Sequence, residues 1–144
     1  MQKENLSADD MNFMLNKEAG VYGVSGVSVD FRDIETEALS GGKQAQLALD
    51  IFHYLVACYV ARCTVAMGGI DVLTFTAGVG EKGPISRKAI CKQLEFLGVK
   101  IDEEKNKIRG EEAELSTLDS RVKVYTIPTN EELMIARETL KLVK

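Results

Sequence analysis

The chain has little with which to build several common kinds of site. It carries one histidine, three cysteines and two prolines in 144 residues, and its lysines and arginines are scattered rather than clustered. Cysteines at 58, 63 and 91 form neither an even disulfide count nor a metal-ligand spacing, and they read as buried, reduced thiols, two of them on an apolar helix. The lone histidine, His53, also sits on a helix, where such a residue is far more often structural than catalytic, and it is given no role. A net charge of −4 excludes non-specific nucleic-acid binding, which needs a basic surface. The charged start Met1-Gln2-Lys3-Glu4-Asn5 has no apolar run behind it, so no signal peptide is visible and a cytoplasmic protein is expected. There is no internal repeat, low-complexity tract or linker.

What is present is an ordinary globular composition, 45% hydrophobic and 28% charged, enough for one domain with a useful core. Ser7 caps a short helix reaching about Asn16, with acids in its first turn. Residues 20–26 read as a glycine-bearing loop, or as a short strand together with Val27 and Val29. A helical region starts at Asp33 or Ser40, and the longest helix runs from about Lys43 to Met67. Leu47, Ile51 and Leu55, four apart, mark its amphipathic half. Further on it is apolar nearly all round, as in a helix central to a core or an interface. It is not read as transmembrane, because its clean apolar stretch is short and carries Arg62.

Residues 70–75 form an apolar, β-branched strand without alternation, the pattern of burial on both faces. A helix opens at Pro84 and ends at Gly98. Residues 102–114 read as a charged, solvated excursion. Residues 122–127 alternate as a second strand, with Val122, Val124 and Thr126 on one face. Asn130 then caps a last helix with Leu133, Ile135, Ala136 and Leu140 as its apolar face. The order strand–helix–strand–helix implies an α/β fold with adjacent parallel strands. Two strands, three at most, are few for an independent sheet, so the chain reads as part of a larger fold.

The stretch from Ile70 to Glu81, IDVLTFTAGVGE, is the most telling. A strand that breaks into glycines before a helix lets a ligand approach bare backbone. Gly78 and Gly80 are therefore candidates for a phosphate or nucleotide contact, although a plain strand-to-helix turn has the same pattern. Upstream, Asp30 can accept from ribose hydroxyls, with a surface ion pair between Asp30 and Arg32 as the competing reading. Downstream, Glu131 is a hard oxygen donor suited to magnesium, and Asn130-Glu131-Glu132 is equally a good helix N-terminus.

These segments resemble the acetokinase family, within the superfamily that includes sugar kinases, Hsp70 and actin. The matching stretches are LNKEAGVYGVSGVSVDFRDIE (residues 15–35), QAQLALDIF (44–52), AMGGIDVLTFTAGVGE (66–81), LEFLGVKIDEEKN (94–106) and IPTNEELMIARET (127–139). The resemblance implies a ribonuclease-H-like, actin-like ATPase fold, with residues 1–144 forming the C-terminal part of a second, nucleotide-binding domain and the N-terminal domain absent. It implies a transferase: ATP plus acetate giving acetyl phosphate and ADP, reversibly, with Mg2+ or Mn2+. On that pattern Asp30, Phe31, Arg32 and residues 78–82 contact the nucleotide and Glu131 serves the metal. No catalytic residue is expected here, because the family's phosphate-handling arginines, catalytic histidine and acetate pocket lie outside these residues. The resemblance further implies a homodimer, with no nucleic acid and no membrane as partners. A propionate or butyrate kinase, or a non-catalytic nucleotide-binding or dimerisation module, is the alternative. Two departures stand out: Lys82 replaces the family's usual asparagine, and Ser86 stands where an aliphatic residue usually flanks the adenine.

Overall fold

The computed structural model describes residues 6–143, and the chain divides into two compact units, Met1–Tyr59 and Val60–Lys144. The first unit is helical. Helix α1 (Ala8–Phe13) begins with a reciprocal cap: the Asp10 N–H donates to Ser7 Oγ at 3.1 Å, and the Ser7 N–H donates to the Asp10 carboxylate at 3.0 Å. A π-helical turn, Met14–Glu18, continues it.

Helix α2 (Gly20–Ser25) replaces the loop or strand expected from the glycines. Its half-buried Val21 and Val24 pack at helical spacing on the unit's core, and Gly26, left-handed at φ 66°, ends it. Val27 and Val29 are exposed rather than part of a strand. Helix α3 (Phe31–Leu39) starts earlier than expected, because Asp30 caps it by accepting the Arg32 N–H at 2.9 Å.

Helix α4 has the expected bounds, Lys43–Met67, but a different buried face. The stripe facing protein is Ala45, Ala48, Leu49, His53, Ala57 and Thr64, whereas Leu47, Ile51 and Leu55 are 40–49% exposed. Small side chains let α4 approach Ile34, and the larger ones are left outside with Tyr54 and Tyr59. By length and composition alone, α4 is long and apolar enough to cross a membrane, contrary to the reading that its apolar stretch is too short. One side of it packs on protein, as in a core or interface helix. His53 is buried and its pKa is lowered by desolvation, in keeping with a packed structural residue. Cys58 and Cys63 are exposed, against the expectation of buried thiols; only Cys91 is buried, its pKa pushed up to about 12 by desolvation.

The second unit is built on a three-stranded sheet ordered β1-β3-β2, where β1 is Val72–Phe75, β2 is Ala113–Glu114 and β3 is Lys123–Thr126. Strands β1 and β3 are adjacent and parallel as expected, with Leu73 opposite Val124 and Phe75 opposite Thr126. The short β2 is antiparallel, so the sheet is mixed rather than all parallel. Val122, Val124 and Thr126 are fully buried, which bears out the alternation read from the sequence. Strand β1 also alternates: Leu73 and Phe75 face in while Val72 and Thr74 are exposed, so it is covered on one face only.

Helices α5 (Ala77–Lys82) and α6 (Pro84–Gln93) follow β1, with proline in the first turn of α6 and left-handed Gly98 (φ 87°) after a closing 3₁₀ turn. The charged stretch 102–114 is not wholly solvated. It contributes β2 and a 3₁₀ turn, Lys105–Lys107, whose Asn106 is buried. Helix α7 (Glu131–Leu142) is capped by Asn130, whose Oδ1 accepts the Leu133 N–H at 3.0 Å. No residue of α7 is buried in this chain, so its apolar face is uncovered.

Candidate functional site

Because β1 and β3 run parallel, their carboxyl ends share one edge of the sheet, and the segments leaving them meet there. The glycine-rich segment after β1 is not an open loop. Thr76 is still extended at φ −142°, Ala77 turns sharply at φ 58°, and α5 begins at once. A left-handed alanine costs roughly 1–2 kcal/mol, the kind of local strain that concentrates at functional sites. The short helix keeps residues 77–82 tight against the end of β1.

The three glycines in this region have different reasons for being glycine. A Cβ on Gly80 would lie 3.3 Å from the Phe75 carbonyl carbon, and one on Gly83 would lie 2.4 Å from the Val79 oxygen. Both positions are constrained by the packing of α5. A Cβ on Gly78 would meet nothing within 4 Å, and Gly78 is not among the residues with positive φ. Its exposed backbone is open to a ligand.

Glu81, a candidate nucleotide contact, turns inward. It is only 7% exposed, and its Oε2 accepts the Thr129 N–H at 3.0 Å. That bond ties α5 to the turn leading into α7, so residues 78–82 and the start of α7 are brought together. Glu131 occupies the first position of α7 and is exposed beside Glu132. Lys82 is exposed, with its Nζ 3.9 Å from Glu81 Oε1. Val79 is half-buried. In the first turn of α6, Ser86 is buried and Ile85 is 40% exposed, so Ile85 is the aliphatic side chain available at that surface.

Asp30, Phe31 and Arg32 belong to the first unit and engage one another or its core. Asp30 takes a charge-assisted pair from Arg32, with Nη2 to Oδ2 at 2.5 Å, and that hydrogen bond followed by the Arg32 N–H holds the carboxyl down to about 2. The pair is exposed, as the competing surface reading has it. Phe31 meets the Phe52 ring edge-on, with centroids 4.6 Å apart, and packs against the core.

Arg87 escapes a reading of the sequence by motif. Its guanidinium, fully buried, donates to the carbonyl oxygens of Gly80 (2.8 Å), Glu81 (2.9 Å), Asn106 (2.7 Å) and Ile108 (2.7 Å), and through Nε to Asn106 Oδ1 (2.8 Å). The signal was its place on α6: Arg87 shares a helical face with Ile90, Cys91 and Leu94, all buried.

Among the described residues no three His, Cys, Asp or Glu side chains cluster as a metal cage. The single exposed Glu131 suits the other mode of magnesium binding, one or two carboxylates completed by substrate phosphates and water.

Residues 1–137 match the profile of the Acetokinase family. The chain is 56% identical over 143 residues to the acetate kinase of Dictyoglomus thermophilum, covering 99% of this chain and 36% of that protein. It superposes on the crystal structure of Porphyromonas gingivalis acetate kinase with a TM-score of 0.91 at 42% identity, covering 100% of this chain and 36% of that one. A propionate kinase from Francisella tularensis superposes with a TM-score of 0.86 at 36% identity, over 95% of this chain and 35% of that one. The chain thus spans about a third of the length of these relatives.

Proposed function

The chain belongs to the Acetokinase family, and from that premise we propose that it supplies part of the nucleotide and metal site of an acetate kinase. The proposed reaction is reversible phosphoryl transfer from ATP to acetate, giving acetyl phosphate and ADP. In this reading residues 1–144 are the C-terminal part of the second, nucleotide-binding domain of a cytoplasmic enzyme. The observation that carries it is Gly78, an exposed glycine where an added Cβ would meet nothing within 4 Å and where the backbone conformation does not require glycine. A nucleotide passing close to that backbone accounts for it.

Gly78, Val79 and Gly80 present this backbone, Glu81 fixes it from within, and Lys82 adds a cation at the rim. Asp30, Phe31 and Arg32, in the first unit, are proposed as nucleotide contacts on the family resemblance alone. Glu131 would hold a magnesium ion directly or through water, and the ion would neutralise charge on the phosphates. On the family resemblance, the family's phosphate-handling arginines, catalytic histidine and acetate pocket are expected outside this chain. Phosphoryl transfer depends on such cations and on positioning, so the chain alone is expected to form no acetyl phosphate in a hydroxamate assay. The full-length enzyme should form it readily. A strong signal from the highly purified chain would require a different catalytic assignment.

The likeness to a propionate kinase supports a second reading, in which the acid is propionate. Comparing kcat/KM for acetate and propionate in the full-length enzyme separates the two.

A homodimer is proposed on the uncovered side of α4, where Leu47, Ile51, Tyr54, Leu55 and Tyr59 are 40–64% exposed. Apolar surface of this kind is stabilised by a second copy. Light scattering at micromolar concentration should give twice the protomer mass, and Leu55→Asp should shift it to the protomer; a monomeric parent would sink the proposal.

A further inference from the structure

We infer that Arg87 is a positioning residue for the nucleotide, acting through the pose of α5; the inference rests on the reading of residues 78–82 as a nucleotide contact. A fully buried guanidinium is costly unless all its donors are used. Here they are used without a carboxylate: four main-chain carbonyls and the Asn106 amide oxygen surround it. Desolvation lowers the Arg87 pKa, with Arg109 as a further repulsive charge. A hydrophobic side chain would fill the same space without burying a charge, so the choice of arginine needs a reason.

The partners supply one. Two of the five bonds go to Gly80 and Glu81, carbonyls in the last turn of α5 that a helix of six residues cannot satisfy internally. The other three go to Asn106 and Ile108 in the 105–108 turn, and the Asn106 Nδ2 donates onward to the Pro84 carbonyl at 2.8 Å. The Gly110 N–H adds a further bond to the Glu81 oxygen at 2.9 Å. One planar group thus fixes the carboxyl end of α5 to the start of α6 and to a turn some twenty residues away. The opposite end of α5 holds Gly78. A helix this short moves as a body, so freedom at Glu81 is displacement at Gly78. Lysine, with three donors and no planar fork, cannot reproduce five bonds in this geometry.

The test uses the full-length enzyme with Arg87→Lys, Asn106→Ala and, as a control on the site itself, Gly78→Val. Arg87→Lys should raise the KM for ATP about tenfold while the KM for acetate changes less than about twofold. Asn106→Ala, which leaves the four carbonyl bonds in place, should shift the ATP KM in the same direction by a smaller factor. A purely structural role predicts something else: less active enzyme, with both KM values unmoved. That result for Arg87→Lys, with Gly78→Val still impairing ATP binding, overturns the inference and leaves the nucleotide site standing. An unmoved ATP KM in Gly78→Val overturns the nucleotide reading itself. If neither Arg87→Lys nor Asn106→Ala yields soluble enzyme, the network serves folding and the positioning role is rejected.

Discussion

Gly78→Val in the full-length enzyme is expected to raise the KM for ATP by about a hundredfold while shifting the melting temperature by no more than about 2 °C. The two halves of this expectation have one origin. A Cβ at Gly78 meets no atom of this chain within 4 Å, so the fold has nothing to lose there. A valine side chain would instead stand in the space through which a nucleotide reaches the backbone. Gly83→Val should behave in the opposite way. Its Cβ would come within 2.4 Å of the Val79 oxygen, a main-chain atom of α5 rather than the tip of a flexible side chain. Crowding of that sort costs roughly 1–3 kcal/mol, visible as a lowered melting temperature. Steady-state kinetics and thermal unfolding on the two variants read the contrast directly. If Gly78→Val destabilises as much as Gly83→Val and spares ATP binding, Gly78 is a structural glycine after all.

Glu131→Gln should lower kcat by about one to two orders of magnitude and raise the magnesium concentration needed for half-maximal rate, with the ATP KM changing far less. The substitution keeps the side chain's shape and removes its charge. Stability should hardly respond, because Glu131 is exposed and Asn130, not Glu131, makes the capping bond to Leu133. Some loss of favourable interaction with the α7 dipole is expected, about 0.3–1 kcal/mol. Glu132→Gln shares that dipole effect and serves as the control: equal losses of turnover in both variants would mean that the acids matter only as helix formers. Rates measured across a magnesium titration distinguish the cases.

Much of the fold could be read before any coordinates, where side-chain pattern and local chemistry agree. The alternation Val122, Val124, Thr126 located β3 and its buried face, Asn130 located the start of α7, and Pro84 and Gly98 bracketed α6 with its closing turn. The errors have physical causes. Residues 20–26 look like a loop because glycine is a poor helix former, yet packing of Val21 and Val24 on the core outweighs that propensity. Leu47, Ile51 and Leu55 look like the buried face of α4 because they are its larger aliphatics, whereas the close-packed face uses Ala45, Ala48 and Ala57. Cys58 and Cys63 read as buried because their helix is apolar nearly all round, yet they lie on its exposed side. The glycines of residues 78–80 read as a turn before a helix that opens at Pro84, whereas α5 already begins at Ala77, directly after β1. The candidate residues could be named from the sequence, but the bonds they make within the fold could not. Glu81 looked like a ligand contact and is bonded to Thr129, while Arg87, in no recognised motif, makes more bonds to α5 than any of the predicted residues. Such long-range bonds to carbonyls carry no local sequence signature.

The Arg87 network also sets an order on how the chain acquires its structure. Its partners Asn106 and Ile108 lie 19 and 21 residues further along, and β1 waits for a strand whose first paired residue, Lys123, follows Val72 by 51 positions (123 − 72). During synthesis, α5 therefore emerges before the turn that anchors Arg87 beneath it and before the strand that buries β1. A local helix such as α1 needs no such wait, because its cap lies within a few residues. Loop closure must precede those distant contacts, which makes the corner around Ala77 a late event in folding rather than a nucleus. The nascent chain thus spends an interval with Leu73 and Phe75 unpaired, the stage at which β1 is most open to pairing with the wrong strand.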